Sequence, residues 1–352
     1  MTRPSPEERI GAFFEAREQE VSSQQYLRFD PDGPFIYVFS PDSTGVSLLV
    51  DRLRGAGLKR RVASTAFSGG KLVPGGLRVL PGVSSTTVRT PSDAAFGLVI
   101  ASDRQLTLLA PRDRIAATIG WPGESRVTEE INIRNQIPRS INVPDLVEYD
   151  KEFPHFQVKY IEGTAIQNPV SEWEYILSAL EQLRVWYQKN EIKWIDTTIA
   201  ISNLREDLRP LSNKPIVSDS FEMLEQLSMP NQLAWGITHG DIHGENLRIS
   251  NGDVYILDWE RAGERYLHSD FFLPFLYWTQ RGGDNSIFKD LLDQTGKASR
   301  ITGKYAQRLG PPVWDSTDWP SGIVVFALLR ELVVRSRGAT GWNQAYEVIS
   351  KL

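Results

Sequence analysis

Two short segments of the sequence concentrate side chains that could carry out chemistry. The first, THGDIHGEN at 238–246, contains two histidines, an aspartate, a glutamate and an asparagine. The second, ILDWE at 256–260, adds another aspartate and glutamate. Three kinds of site use such residues: a metal centre built on histidines, a nuclease-like histidine cluster, and a loop that transfers a phosphoryl group.

A zinc site on the histidines is poorly supported by their surroundings. His239 and His243 are four residues apart, which on a helix would place both on one face. Gly240 and Gly244 interrupt the segment, however, and each glycine costs about 1 kcal/mol in a helix interior. The nearest further histidine is His268, and the chain has no cysteine. The segment is therefore predicted to be a loop.

A hairpin is predicted directly after this loop. LRI and VYIL are β-type runs, and SNGD between them contains the Asn-Gly signal of a tight turn. Such a hairpin returns Asp258 to the neighbourhood of Asp241 and Asn246. Two carboxylates and an amide suit Mg²⁺, which prefers oxygen ligands and also binds phosphate oxygens. Asp241 is well situated to accept a proton from a substrate hydroxyl.

The elements that must position these residues differ between the two halves of the chain. Short apolar runs broken by Gly, Pro and Asp between 68 and 127 predict an antiparallel meander. Before it, a strand, a helix and a strand in succession predict a small α/β piece. The strands outside the meander are predicted at 34–41, 59–65, 143–150 and 155–163. Helices are predicted at 6–20, 42–57, 125–137, 197–208, 217–228, 266–280, 284–295, 298–308 and 322–336, with another from 172 onwards.

Composition argues against several classes of protein. The 352 residues are 41% hydrophobic, enough for a sizeable core in two lobes, and the net charge of −5 argues against broad nucleic-acid binding. The absence of cysteine excludes disulfides and a cysteine nucleophile. The N-terminus lacks the apolar core of a signal peptide, and no apolar run approaches the roughly 20 residues that span a bilayer. We expect a soluble, cytoplasmic protein with no nucleic-acid or membrane partner.

The two chemical segments resemble those of a known enzyme family. HGDIHGENL with ILDWERAG is similar to the catalytic loop and metal-binding segment of the aminoglycoside phosphotransferase and choline kinase-like family. The family pattern is His-Gly-Asp, four residues, Asn, then a hydrophobic pair and Asp, and its identities and intervals match here. The resemblance implies that Asp241 is the catalytic base, that Asn246 and Asp258 are Mg²⁺ ligands, and that His239 and Asp270 support the loop.

The resemblance extends over about 110 to 275 and implies further site residues. ATP is the implied phosphoryl donor, and a hydroxyl of a small molecule, such as an aminoglycoside, sugar or amino alcohol, is the implied acceptor. The residues implied for nucleotide binding are Arg114, Glu130, Lys159, Tyr160 and Ile161, of which Glu130 corresponds to a helix residue that pairs with a strand-3 Lys. His243 and Glu245 could contact the acceptor or only complete the loop, and Glu260 could line the acceptor pocket or form a local ion pair.

One feature of the family pattern is missing. The strand that should carry a central Lys or Arg reads RIAATIG, with Ala116, Ala117 and Thr118 at its centre. Strand alternation would put Arg114 on the same face as Ala116 and Thr118. A solvated hairpin charge is the alternative interpretation of Arg114, and Lys71 and Lys159 are further candidates for the cation. The gap also leaves a second functional hypothesis open, a catalytically weak or inactive pseudokinase that binds nucleotide or acts as a scaffold.

The fold class predicted from these observations is α+β. We expect a bilobal protein kinase-like fold with a β-rich N-lobe, a mostly helical C-lobe and an N-terminal α/β extension. The predicted divisions are an extension at 1–90 that could belong to the N-lobe, an N-lobe at 91–163, and a helical C-lobe with the catalytic loop at 164–352. Neither the acceptor nor the oligomeric state is predicted.

Overall fold

A computed structural model shows two compact units in the chain. The first comprises 1–136 and 144–162, and the second comprises 137–143 and 163–352. The described residues are 5–15, 20–30, 35–54, 65–67, 77, 80, 82–91, 96–102, 105–120, 125–151, 154–280, 283–284, 286–293, 300, 303 and 321–336. Both units combine strands with helices, so the predicted α+β class is confirmed.

The first unit is built on an eight-stranded antiparallel sheet with the order β3-β1-β2-β4-β5-β6-β8-β7. Side chains alternate across the sheet, as in β5, where Leu106 and Leu108 are buried and Thr107 between them is half-buried. The strands are β1 Val21–Phe29, β2 Ile36–Phe39, β3 Val83–Pro91, β4 Leu98–Ala101, β5 Gln105–Ala110, β6 Ile115–Gly120, β7 Leu146–Asp150 and β8 His155–Lys159.

Three of the helices in the described part of this unit cover the two faces of the sheet. Helix α1 (Pro6–Glu15) packs Ile10, Phe13 and Phe14 against one face, in a cluster that includes Ala117 and Ile119 of β6. Helix α2 (Ser43–Arg54) packs Val46, Leu49 and Leu53 into a second cluster with Leu98 of β4. Helix α3 (Arg126–Arg134) packs Val127 and Ile131 against Phe156 and Val158 of β8. Burial of these apolar faces, rather than local propensity, fixes the helices on the sheet.

The N-terminal part differs from the predicted α/β piece. β1 was not predicted because VSSQQYLRF is polar in its first half, yet it pairs with β3 over nine residues and with β2 on its other edge. Strands β1, β2 and β3 therefore belong to the same sheet as β4 to β6. The strand predicted at 59–65 lies outside the described residues except for Thr65, which is helical. The structure of this N-terminal part is determined by pairing between strands that are distant in sequence. The residue pattern of one strand does not reveal that pairing.

The second unit is mostly helical, as predicted, with two small sheets that carry the loop. Its sheets have the orders β10-β11-β14 and β13-β12-β9. The strands are β9 Thr164–Ala165, β10 Lys193–Asp196, β11 Gln232–Thr238, β12 Leu247–Ser250, β13 Asp253–Ile256 and β14 Gly263–Tyr266. The helices are α4 Trp173–Lys189, α5 Thr197–Asp207, α6 Pro215–Gln226, α7 Ser269–Gln280, α8 Ser286–Leu292 and α9 Gly322–Ser336. The helix predicted at 298–308 lies outside the described residues except for 300 and 303.

The core of the second unit follows the predicted helical periodicity. On α4, Ile176, Leu180, Leu183 and Trp186 are buried at the three- and four-residue spacing of one helix face. Trp186 packs edge-on against Trp259, the residue that follows Asp258, with ring centroids 5.0 Å apart. Among the described helices, none combines the length and apolarity that a membrane span requires.

Candidate active site

The loop that holds Asp241 leaves β11 at Thr238 and ends in a one-turn 3₁₀ helix, Gly244–Asn246. Gly240 has φ +75, a left-handed conformation that glycine adopts without steric cost. A Cβ at Gly240 would lie 2.6 Å from the carbonyl oxygen of Arg261, closer than real Cβ contacts. The glycine therefore serves both the turn and the close approach of the chain behind Asp241.

The predicted hairpin after the loop is confirmed. β12 and β13 pair from Leu247–Ile256 to Ser250–Asp253, and the two turn residues, Asn251 and Gly252, have φ +53 and +89. Positive φ at both central positions is the type I′ geometry that suits the twist of a hairpin. At its open end, the backbone N–H of Leu257 donates to the carbonyl oxygen of Asn246 at 2.8 Å. Asn246 and Asp258 are thereby tied to one another through the backbone.

Asp241 is buried, and its carboxylate is surrounded by hydrogen-bond donors, a histidine and an arginine. The Asn246 side-chain Nδ2 donates to Asp241 Oδ2 at 3.2 Å and to the Asp241 carbonyl oxygen at 3.0 Å. The Tyr277 hydroxyl donates to Asp241 Oδ1. Arg261 Nη1 lies 3.6 Å from Oδ1, and His243 Nε2 lies 3.7 Å from Oδ2. The carboxylate is thus held in one orientation from both sides.

These neighbours control the ionisation of Asp241. Burial by itself would raise the pKa of the carboxyl group, because it disfavours the charged form. The adjacent His243 and Arg261, with a smaller contribution from Tyr277, more than offset burial and hold the pKa of Asp241 well below its usual range. Asp241 is therefore an ionised hydrogen-bond acceptor throughout the neutral range.

Asp270 braces the loop from below. Its Oδ1 accepts from the backbone N–H of Gly240 at 2.8 Å, and its Oδ2 accepts from the backbone N–H of His239 at 2.9 Å and the Tyr187 hydroxyl at 2.7 Å. Full burial raises the pKa of Asp270 to about 6, although these three donors act in the opposite direction. Tyr187, on α4, was not singled out from the sequence because it reads there as one more core position.

His239 joins the loop to the residues before Asp258. Its Nε2 lies 2.8 Å from the Leu257 carbonyl oxygen, and its Nδ1 accepts from the backbone N–H of Asp241 at 3.3 Å. Both contacts are satisfied by the neutral tautomer that carries its proton on Nε2. The ring also packs edge-on against Trp259 at 4.6 Å. These contacts make His239 a positioning residue for both Asp241 and Asp258.

Asn246 and Asp258 have the features of a divalent-cation site. Because Nδ2 of Asn246 is fixed by two Asp241 oxygens, the amide oxygen is directed away from them. Asp258 is half-buried with φ +55, a conformation uncommon for a non-glycine residue and often seen at functional sites. The described residues contain no group of three or more His, Asp or Glu side chains that could hold a metal. An amide and a carboxylate fit a cation that takes its remaining ligands from water and phosphate.

The three acceptor candidates differ in their surroundings. His243 is buried, accepts from the Glu245 backbone N–H at 3.3 Å on Nδ1, and packs its ring 4.2 Å from that of Tyr277. Glu245 and Glu260 are half-buried, and Glu260 Oε1 lies 3.9 Å from Arg261 Nε. Tyr277 was missed in the sequence because it lies in the apolar run of α7, where it reads as core.

Two of the residues predicted to bind nucleotide, Arg114 and Glu130, lie in the first unit. Arg114 is an exposed turn residue before β6, with φ +56, as the interpretation of a solvated hairpin charge has it. The turn closes through bonds from the Asp113 N–H to Ala110 and from the Arg114 N–H to Pro111, which leaves the left-handed position to Arg114. Glu130 is buried on α3 as predicted, but its ion-pair partner is Arg134 on the same helix, at 2.8 Å.

The remaining nucleotide candidates lie at the end of β8. Strand β8 is paired with β6 and β7 and ends at Lys159, which is exposed. The backbone N–H of Tyr160 donates to the Arg114 carbonyl oxygen at 2.7 Å and is not available to a ligand. Ile161 follows, half-buried and outside regular structure. A nucleotide-binding role for these residues stays a prediction.

Comparison with known proteins agrees with the resemblance seen in the loop. Residues 174–303 match the model of the phosphotransferase enzyme family, which confirms the family resemblance over this part of the chain. No curated protein matches the sequence.

Several solved structures are similar at low identity. A choline kinase from Streptococcus pneumoniae is 13% identical, with 71% of this chain and 91% of that chain covered and a TM-score of 0.46. A macrolide 2'-phosphotransferase from Brachybacterium faecium is 11% identical, with 72% and 90% covered and a TM-score of 0.46. An amicoumacin kinase in complex with AMP-PNP and Ca²⁺ is 12% identical, with 72% and 87% covered and a TM-score of 0.43.

Proposed function

We propose, because residues 174–303 match the model of the phosphotransferase enzyme family, that this protein transfers the γ-phosphoryl group of ATP to a hydroxyl group of a small molecule. The observation that carries the proposal is the held carboxylate of Asp241. It is ionised, fixed by Asn246 and braced through Asp270, and it lies one backbone hydrogen bond from the segment that carries Asp258.

Asp241 binds and orients the acceptor hydroxyl. The acceptor oxygen forms a bond to the γ-phosphorus while the bond from that phosphorus to the bridging oxygen breaks, and ADP leaves with the electron pair. The acceptor proton is released by way of the Asp241 carboxylate. Because its neighbours keep the pKa of Asp241 low, its main contribution is alignment of the nucleophile, and the proton moves late in the step.

Asn246 and Asp258 are the residues that would hold a divalent cation, and we propose Mg²⁺. When bound, this ion neutralises phosphate charge as the leaving group departs. His239 keeps the Asp258 segment next to the loop through the Leu257 carbonyl oxygen. The positive φ of Asp258 directs the chain away from β13 immediately after the hairpin.

The acceptor is proposed only as a class, a hydroxyl-bearing aminoglycoside, sugar or amino alcohol. The test is ADP release from Mg²⁺-ATP with a panel of these compounds. Asp241→Asn keeps the size of the side chain but removes its charge, and we expect turnover to fall by about 10²- to 10⁴-fold. Asp253→Asn, an exposed aspartate of the hairpin, is the matched control and should leave turnover unchanged.

The same assay separates the enzyme from the pseudokinase alternative. That alternative is motivated by the missing cation at the centre of β6, which reads IAATIG. Nucleotide binding without turnover, for every acceptor and for water, would favour it. Equal turnover of the wild type and Asp241→Asn would contradict the role of Asp241.

A further inference from the structure

Arg261, three residues after Asp258, places an accessible charge beside Asp241. Its Nη1 lies 3.6 Å from Asp241 Oδ1 and 3.5 Å from the oxygen of Tyr277, which donates to the same carboxylate oxygen. The side chain of Arg261 is 35% exposed, whereas those of Asp241 and His243 are 9% and 8% exposed. Solvent and ligands therefore reach the guanidinium group more readily than they reach the carboxylate.

The position of Arg261 is set by its backbone. Its carbonyl oxygen accepts from Arg265 Nη2 at 3.1 Å, and Gly240 packs closely against the same carbonyl. The ion pairs of its side chain are long, because Nη1 is 3.6 Å from Asp241 Oδ1 and Nε is 3.9 Å from Glu260 Oε1. Both distances exceed that of a hydrogen bond, so these carboxylates attract the guanidinium group without using up its donors.

The end of the guanidinium group is open to a further acceptor. Arg261 Nη2 has no hydrogen-bond partner in the part of the chain that the structure describes. Nη1 and Nη2 together form a fork that binds a carboxylate or a phosphate through two parallel hydrogen bonds. Because Nη1 already lies beside the oxygen that orients the acceptor hydroxyl, this fork is placed to bind an anionic group close to that hydroxyl.

The carboxylates that face Arg261 are less exposed than the arginine itself. Glu331, on α9, interacts with Arg261 through its charge and is 5% exposed. The Glu260 side chain is 17% exposed and lies on the Nε side of the group. An anionic group at the end of the fork is therefore attracted to the guanidinium charge, whereas an ammonium group there meets a like charge.

We propose that Arg261 binds an anionic group of the acceptor, a carboxylate or a phosphate, and is a specificity-determining residue. This inference rests on the proposed function and narrows its acceptor to an acidic sugar or another hydroxy acid, rather than an aminoglycoside or an amino alcohol. Asp241 holds the reacting hydroxyl while Arg261 holds the acid. Two fixed points on one small molecule orient its hydroxyl for transfer.

The experiment compares acceptors that share a carbon skeleton and differ in charge. ADP release from Mg²⁺-ATP is measured with glucose, glucuronate, glucose 6-phosphate and glucosamine, and with glycerol, glycerate and serinol. For the wild type we expect kcat/KM to be about 10- to 100-fold higher for the best acid than for its uncharged match, the effect of a charge-assisted hydrogen bond. The amines should be the poorest acceptors. The better of glucuronate and glucose 6-phosphate identifies the anionic group.

Three variants assign this preference to Arg261. Arg261→Met keeps most of the stem and removes the charge, so the ratio of kcat/KM between acidic and uncharged acceptors should fall to about 1. Taking the ratio cancels any effect on Asp241, which acts on every acceptor. Glu260→Gln removes a competing carboxylate and should raise the ratio. Arg139→Met, at an exposed arginine of the same unit, should leave the ratio unchanged.

Two results would overturn the role of Arg261. One is a wild type that prefers uncharged or amino acceptors, and the other is an Arg261→Met variant that keeps the wild-type ratio even though its turnover falls. The absence of turnover with every one of these compounds and with the wider acceptor panel would instead contradict the proposed function, and the inference would fall with it. That result is seen with the wild type, before any variant is made.

Discussion

At the scale of single residues, Asp241 is an acceptor whose two oxygens are already in use. Oδ2 accepts from Asn246, while Oδ1 accepts from Tyr277 and lies near Arg261. An acceptor hydroxyl that bonds to this carboxylate must therefore either share an oxygen with one of these donors or displace that donor. Of the two groups at Oδ1, Tyr277 is neutral and Arg261 is charged. The Tyr277 hydroxyl is also the donor that is chemically most similar to an incoming hydroxyl group.

Replacement of Tyr277 tests this competition. Tyr277→Phe removes the hydroxyl and keeps the ring that packs on His243. We expect the KM of the acceptor to fall by about 2- to 10-fold, the equivalent of one neutral hydrogen bond, while the KM of ATP stays constant. Steady-state kinetics with either substrate varied would measure both constants. Tyr255→Phe, on β13, is the matched control, and a rise in acceptor KM for Tyr277→Phe would show that the hydroxyl assists binding.

The sequence predicted some residues of this site better than others. Asp241, Asn246 and Asp258 lie within one loop and one hairpin, so local turn chemistry and spacing were enough to bring them together. Tyr277 reaches the same carboxylate from a helix 36 residues away in sequence. The sequence around it, FFLPFLYW, reads as a buried helix face, and no local pattern distinguishes a core tyrosine from one whose hydroxyl serves a site.

At the scale of elements, the loop depends on a buried carboxylate at the start of α7. Asp270 accepts three hydrogen bonds, and an asparagine in its place has a single acceptor oxygen. We expect Asp270→Asn to lower the free energy of unfolding by about 1–3 kcal/mol for each donor left unpaired, and to lower turnover because Gly240 and His239 lose their anchor. Urea denaturation and the turnover assay would measure the two effects.

Tyr187→Phe provides the graded comparison for this prediction. It removes one of the three donors to Asp270 and leaves both backbone contacts with the loop. Its loss of stability should be smaller, at about 1 kcal/mol, and turnover should change little. An equal loss of turnover in both variants would indicate that Asp270 acts through α4 rather than through the loop.

Gly240 allows a second test of the loop, with another glycine as its control. Gly240→Ala introduces both a left-handed alanine and a contact of 2.6 Å with the Arg261 carbonyl oxygen. Gly252→Ala, in the hairpin turn, has φ +89 but nothing within 4 Å of the added Cβ. The hairpin variant should lose about 1–2 kcal/mol in urea denaturation, the cost of the left-handed conformation alone. Gly240→Ala should lower the free energy of unfolding by more than this. Equal losses in the two variants would contradict the close approach of Gly240 to the Arg261 carbonyl oxygen.

At the scale of the whole chain, the helical half was predicted more completely than the sheet. The helices of the second unit have apolar residues at regular spacing, and Ile176, Leu180 and Leu183 are buried as that spacing indicates. In the sheet, β1 and β3 pair although 53 residues separate Phe29 from Val83, and most of β1 is polar. Such pairing depends on which strand edges meet in the folded chain. The pattern of neighbouring residues in the sequence does not carry that information.

His268, in the core of the second unit, makes the stability of the protein depend on pH. Its ring is buried between Tyr266 and Phe326, with no hydrogen-bond partner for either nitrogen among the described residues. Burial, assisted by the charge of Arg330, lowers the pKa of His268 to about 3. An unfolded chain would take up this proton near pH 6.5, whereas the folded protein would not. Its contribution to stability is therefore complete above about pH 6.5 and is lost progressively as the pH falls towards 3.

His268→Phe should remove this acid sensitivity. At pH 5 the wild-type histidine costs about 2 kcal/mol relative to pH 7.5, at about 1.4 kcal/mol per pH unit below 6.5. The variant should therefore lose about 2 kcal/mol less than the wild type between these pH values in urea denaturation. Asp270, whose raised pKa of about 6 makes the folded state bind a proton first, acts in the opposite direction and is common to both proteins. The effect of Asp270 therefore cancels when the variant is compared with the wild type. Tyr266→Phe is the control for altered ring packing. An equal loss of stability in the wild type and in His268→Phe would mean that His268 accepts a proton in the folded state.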